Sequence, residues 1–239
     1  MSFINGKFVP QTFINMSKSA LIKSSIAKKY WMAGTGLFLC LFLIGHLLGN
    51  LQLLLPAEVA SKQFNEYAKF MTTNPLVKIL SYVTYISILF HAIDGILLTI
   101  QNKKARPIDY AYSKPSANSN WASRNMGMLG VILLLFLVVH MRSFWYEMHF
   151  GVVPVDSYGL KDLYLITTQA FQQLWYVILY VVCMVAIAFH LSHGFTSAFQ
   201  SIGLNHPKIN SITKKLGMFF GIAIPAAFAI IPVYLFLFR

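Results

Sequence analysis

The chain has 239 residues, of which 57% are hydrophobic and only 11% charged, with a mean hydropathy of +0.62. A soluble globular domain carries about 25% charged residues, so a largely water-facing chain is excluded and a membrane protein is implied. The net charge of +12 does not point to nucleic acid, because the basic residues sit in short segments between apolar runs, the pattern of loops beside a membrane.

The length gives room for about five spans of twenty-odd residues in a single domain. That domain is expected over residues 31–239, behind an N-terminal segment, residues 1–30. This segment carries Lys7, Lys18, Lys23, Lys28 and Lys29 and a partly amphipathic stretch from Met16 to Ala27. It reads as a cytoplasmic surface segment at the membrane interface or against a partner protein. It lacks the continuous apolar core and small-residue cleavage site of a signal peptide.

The first span is expected from Trp31 to Leu55, ended by Pro56, with Gly34, Gly36, Gly45 and Gly49 inside it. A near-neutral loop from Ala57 to Asn74 leads to a second span, Pro75 to Gln101, holding His91, Asp94 and Gly95. A strongly basic loop follows, with Lys103, Lys104, Arg106, Lys114 and Arg124 against Asp109 alone. The third span, Asn125 to Trp145, has His140 near its far end and Arg142 just beyond. Next comes an acidic loop with Glu147, Asp156 and Asp162 against Lys161. The fourth span, Thr168 to Phe199, contains His190, His193 and Gly194, and a basic loop with Lys208, Lys214 and Lys215 leads to the fifth, Leu216 to Phe238, which has no histidine. Lys and Arg are thus rich in the N-terminal segment and in the second and fourth loops. The positive-inside rule then predicts an all-α five-helix membrane bundle with the N-terminus inside and the C-terminus outside.

Orientation converts position into depth, since each helical residue advances about 1.5 Å. His46 and His140 each lie about fifteen residues from the inner end of their spans, and His91 and His190 about ten. The charge rule alone therefore sorts the four histidines into two level pairs, His46 with His140 and His91 with His190. Histidine inside a membrane is costly and marks function. Two neutral imidazoles facing one another at one height suit the axial positions of a haem. The expectation is two bis-histidine b-type haems stacked roughly 10 Å apart along the membrane normal. Cys40 and Cys183 show no CxxCH pattern, so covalent haem attachment is excluded. His193 competes with His190 for the inner site, and the HxxxG spacing favours His190. Gly95 and Gly194 each follow an inner ligand by four residues and Gly49 follows His46 by three, positions where a side chain would collide with the ring. Asp94 and His193 are expected to hydrogen-bond across the second and fourth helices.

Five spans with histidines on the first four, in the segments HLLGN, FHAIDG, VVHMRSFWY and FHLSHGF, resemble the di-haem cytochrome b subunit of succinate:quinone oxidoreductases, the succinate dehydrogenase and fumarate reductase family. The resemblance covers the chain beyond its N-terminal segment. It implies a multi-pass anchor in a bacterial cytoplasmic membrane, with flavoprotein and iron-sulfur subunits docked on the basic cytoplasmic face. Electrons would pass through the two haems to or from a quinone, menaquinone being the expected one. Dicarboxylate and flavin chemistry would lie in the other subunits, and no dinucleotide fingerprint occurs here. Glu66 resembles an acidic residue linked to quinone chemistry in some relatives and is the expected proton acceptor. Where some relatives carry a proton-conducting glutamate two residues before the inner ligand, this chain has Ala188, which puts that proton route in doubt. Arg142, with Lys28, Lys29 and Arg124 at the other interface, is expected to meet haem propionates. A different membrane cytochrome b and a haem-free transporter with a histidine proton relay are the competing readings. Association of the complex into a higher oligomer stays open.

Overall fold

The computed structural model describes residues 2–4, 7–9, 25–105 and 119–239. Most of the N-terminal segment and part of the second loop, including Arg106, Asp109 and Lys114, lie outside the described residues. Apart from a short antiparallel pairing of β1 (Ser2–Ile4) with β2 (Lys7–Val9), the described residues are almost entirely helical.

The helices in chain order are α1 (Ser25–Asn50), α2 (Ala57–Thr73), α3 (Pro75–Lys104), α4 (Trp121–Arg124), α5 (Met126–His140), α6 (Glu147–Phe150), α7 (Leu163–Phe171), α8 (Leu174–Ser201) and α9 (Pro207–Phe238). Five segments are long and apolar enough to cross a membrane: Ile26–Leu54, Pro75–Lys104, Met126–Phe150, Leu174–Ser201 and Pro207–Phe238.

Local chemistry sets where they begin and end. Asn74 accepts hydrogen bonds from the Leu76 and Val77 N–H groups at 2.9 and 3.2 Å, and Pro75 opens α3, where its missing N–H costs nothing. At the end of α8, Gly203 adopts φ +94°, and the Leu204 and Gly203 N–H groups return to the Phe199 and Gln200 carbonyls in a Schellman cap.

Several boundaries differ from expectation: the first span begins at Ile26 rather than Trp31, the third runs to Phe150 rather than Trp145, and three further differences have a local cause. Residues 57–73 form the helix α2 rather than a loop, because Ala60, Phe64 and Ala68 recur every fourth residue and make one buried stripe. The expected fourth span divides at Gln172, whose side chain turns away to donate to the Leu235 carbonyl at 3.0 Å, so α7 is separate from α8. The fifth helix starts at Pro207, nine residues early, because a proline-led, basic first portion runs ahead of the apolar part.

Helix α8 packs on α9, α1 and α5, while α3 packs on α1 and α5. The four helices α1, α3, α5 and α8 therefore form a square in which α1 faces α5 and α3 faces α8 across the centre without extensive contact. Helix α9 braces this square from outside against α8 and α1. Within the chain α3 fully buries only Thr84 and Ser87, and α5 only Leu129. Such apolar helices, so little covered by protein, face lipid on their outer sides.

The densest packing lies where α1 ends, around Leu53, Phe64, Phe171, Tyr180 and Leu235. There α2 and α7 are joined through Asn65, only 1% exposed, whose amide donates to Asp156 (3.0 Å) and Asp162 (2.9 Å) and whose carbonyl accepts the Tyr164 N–H (2.9 Å). Burial alone would raise the Asp156 carboxyl, but the Leu160 N–H, the Asn65 amide and the Tyr158 N–H together hold it below its ordinary value. At the same end the Arg239 guanidinium donates to the Leu55 carbonyl, so α9 finishes beside the end of α1, at the opposite end of the bundle from Ile26.

Candidate cofactor-binding site

Each helix of the central square contributes one histidine, and the rings meet along the two diagonals. His46 of α1 and His140 of α5 have ring centroids 5.7 Å apart at 88°, and His91 of α3 and His190 of α8 lie 6.2 Å apart at 68°. Imidazoles thus bridge helices that make no extensive contact with one another.

Apolar and hydroxyl groups surround the pairs. His46 stacks on Phe42 (5.3 Å, 16°) and lies 5.6 Å from Phe228 of α9, so the fifth span, which has no histidine, walls this pair. Phe136 and Phe144 flank His140 at 5.8 and 5.5 Å. His140 Nδ1 is 3.0 Å from the Tyr180 hydroxyl, which is 3.1 Å from that of Tyr176. His91 Nδ1 is 3.2 Å from Thr35 Oγ1. The Nδ1 of His190 is buried without a partner. Gly36 admits the His91 ring, since a Cβ there would sit 3.2 Å from its Cε1.

With metal–imidazole bonds of about 2.0 Å and ring nitrogens about 1.1 Å from the ring centre, two axial imidazoles place their centroids about 6.2 Å apart. The observed separations are close to this. Among the described residues no cluster of three or more His, Cys, Asp or Glu could hold a metal ion. Two imidazoles alone complete neither a tetrahedral nor an octahedral shell. The donor set fits a metal that brings four equatorial ligands of its own, as a porphyrin does.

The other expected site residues fall in several places. A Cβ on Gly95 or Gly194 would meet only a methionine methyl, Met32 Cε at 3.5 Å or Met126 Cε at 3.9 Å, so both keep open, deformable space one turn from the ring pair. Gly49 has a different reason: a Cβ there would lie 2.5 Å from the Tyr67 ring of α2, so it serves helix packing. His193 is half-buried and its ring does not meet His91, the ring contact belonging to His190. No hydrogen bond or ion pair joins Asp94 to His193 among the described residues, contrary to expectation. Three residues advance a helix by about 300°, so each sits about 60° off the direction of its neighbouring ring.

Arg142 is ion-paired with Glu147 and lies 4.5 Å over the Tyr146 ring. Arg124 donates to the Ser119 carbonyl, and Lys28 and Lys29 occupy the first turns of α1. Glu66 is on the exposed face of α2, beside the buried Asn65.

Thr35, Tyr180 and Phe228 were not among the expected site residues, whereas Gly36 was noted among the glycines of the first span. Thr35 carried one signal, a hydroxyl between two glycines in an apolar run (AGTGL). Comparison with protein-family models, with curated proteins and with solved structures finds no match for this chain.

Proposed function

We propose that this chain is a di-haem cytochrome b, the membrane-anchoring subunit of a succinate:quinone oxidoreductase that exchanges electrons between an iron-sulfur partner and a membrane quinone. One observation carries the reading: four histidines from four spans meet as two pairs across the diagonals of the bundle, at 5.7 and 6.2 Å between rings. When bound, the two b-type haems supply one-electron redox chemistry.

The chain's own residues have the following tasks in this reading. His46 and His140 hold one haem and His91 and His190 the other. Phe42, Phe136, Phe144 and Phe228 keep water from the first pair. Gly36, Gly95 and Gly194 leave room beside the second. Arg142 would exchange its Glu147 partner for a propionate.

Lys28, Lys29, Lys103, Lys104, Arg124, Lys208, Lys214 and Lys215 flank one end of the spans. The positive-inside rule makes that end cytoplasmic, with the N-terminus inside and the C-terminus outside in a bacterial cytoplasmic membrane. The flavoprotein and iron-sulfur subunits would dock there. Glu66, on exposed α2 at the opposite end, is the proposed proton acceptor for the quinol, with menaquinone the proposed quinone.

The test is a reduced-minus-oxidised spectrum of the purified chain with a haem assay. Low-spin b haem at two per chain supports the proposal. Colourless protein from cells supplied with haem overturns it in favour of a histidine proton relay.

A further inference from the structure

Among the described residues, one ligand of each pair has a hydroxyl at its Nδ1 and the other has none. Thr35 Oγ1 lies 2.9 Å from the Trp31 carbonyl, 3.2 Å from the Met32 carbonyl and 3.2 Å from His91 Nδ1. A hydroxyl has one proton, and carbonyls can only accept. With its proton on either carbonyl of its own helix, Thr35 Oγ1 accepts from His91 Nδ1–H. That arrangement goes with the Nδ1–H tautomer of His91, whose Nε2 lone pair is bare.

Tyr180 occupies the same place at the other pair. Its hydroxyl lies 3.0 Å from His140 Nδ1 and 3.1 Å from the Tyr176 hydroxyl, and both tyrosines are buried. If His140 gives Nε2 to a metal, its Nδ1–H donates to the Tyr180 oxygen, and the Tyr180 O–H is free to donate a hydrogen bond to the Tyr176 hydroxyl. Across the pairs, His190 Nδ1 is buried without a partner, and His46 is flanked by the rings of Phe42 and Phe228.

We propose that Thr35 and Tyr180 are positioning residues that lock His91 and His140 in the Nε2-ligating tautomer and tune the two haems separately. The inference rests on the di-haem reading. An acceptor on Nδ1–H makes the imidazole a stronger donor to the metal and favours the oxidised iron. Loss of the acceptor should then raise the midpoint potential of that haem alone.

The test uses the full chain with Thr35→Val, Thr35→Ser and Tyr180→Phe, followed by redox titration of the b-haem absorbance and by electron paramagnetic resonance. The haem lost in His190→Ala identifies the His91 site. Thr35→Val should raise the midpoint of that haem, and Thr35→Ser, which keeps the hydroxyl, should restore it. Tyr180→Phe should raise the other midpoint and leave the first in place. Loss of one haem in Thr35→Val with both retained in Thr35→Ser also supports the assignment. Wild-type potentials and spectra in Thr35→Val and Tyr180→Phe overturn it, as does equal damage from Thr35→Val and Thr35→Ser. A wild-type chain that binds no b haem fails the parent reading itself and is told apart by its absent spectrum.

Discussion

Gly221 of α9 presses on the backbone of Ser192 in α8: a Cβ at Gly221 would fall 2.7 Å from the Ser192 nitrogen and 2.9 Å from its Cα. One turn earlier, a Cβ at Gly217 would fall 2.9 Å from Thr196 Oγ1. Small residues let membrane helices approach to backbone contact, and this contact lies between His190 and Gly194. The helix without a histidine therefore sets the position of one that has two.

Gly221→Ala should consequently destabilise the bundle, because backbone atoms cannot swing aside as a side chain would. Overpacking of this kind costs about 1–3 kcal/mol. Thermal unfolding in detergent should show a lowered midpoint, with the haem at the His91–His190 pair released first. Gly45→Ala is the control, since nothing lies within 4 Å of a Cβ there. Equal midpoints for the two variants would remove the backbone contact as a source of stability.

The diagonal pairing predicts that losses of haem group by pair. Replacing His91 or His190 by alanine should leave about one haem per chain, and replacing His46 or His140 should leave the other one. His193→Ala should retain both, since its ring does not meet His91. A pyridine haemochrome assay measures the content, and the spectrum of the haem that remains identifies the pair. If His91→Ala and His46→Ala left the same haem, the pairing would be wrong.

Glu66 points away from the packed face of α2, so its replacement should not disturb the fold. Glu66→Gln should keep two haems per chain and normal thermal stability yet lose quinol turnover in the assembled complex. Unaltered turnover would assign Glu66 to the solvated surface alone.

What the sequence made legible was depth and helix membership. Five apolar runs and the distribution of Lys and Arg were enough to set His46 level with His140 and His91 level with His190, because rise per residue is constant in a helix. Azimuth was harder to read. Asp94 and His193 share a depth and still do not meet, since three residues leave each about 60° from its neighbouring ring. Gly49 looked like room for a cofactor and instead receives Tyr67, a residue from a stretch expected to be a loop. That stretch carried its helical signal in Ala60, Phe64 and Ala68, masked by the alternating Lys and Glu on its other face. Thr35 gave no periodic signal, because a threonine hydroxyl inside an apolar helix can satisfy itself on its own backbone, as it partly does here, and Tyr180 gave none because a tyrosine in an apolar run reads as ordinary packing.

The loop between α6 and α7 should respond to acid through Asp156. This carboxylate accepts the Tyr158 and Leu160 N–H groups, each at 2.9 Å, and the Asn65 amide at 3.0 Å, around a turn where Gly159 takes φ +75°. These donors hold its pKa below the ordinary value. A carboxyl depressed in the folded state contributes stability that is fully present above the unfolded pKa of about 3.9, and that is lost as pH falls through the lower folded value. Hydrogen exchange at the Tyr158 and Leu160 amides should therefore be slow and flat from neutral pH down to about 4, once the intrinsic pH dependence of exchange is removed, and should quicken below that. Asn65→Ala should quicken it at neutral pH, because the buried amide that ties Asp156 and Asp162 to α2 is gone. Asp156→Asn keeps an oxygen for the two N–H groups and cannot be protonated, so it should abolish the acid step. An acid step that persists in Asp156→Asn would show that the Asp156 carboxyl is not its source.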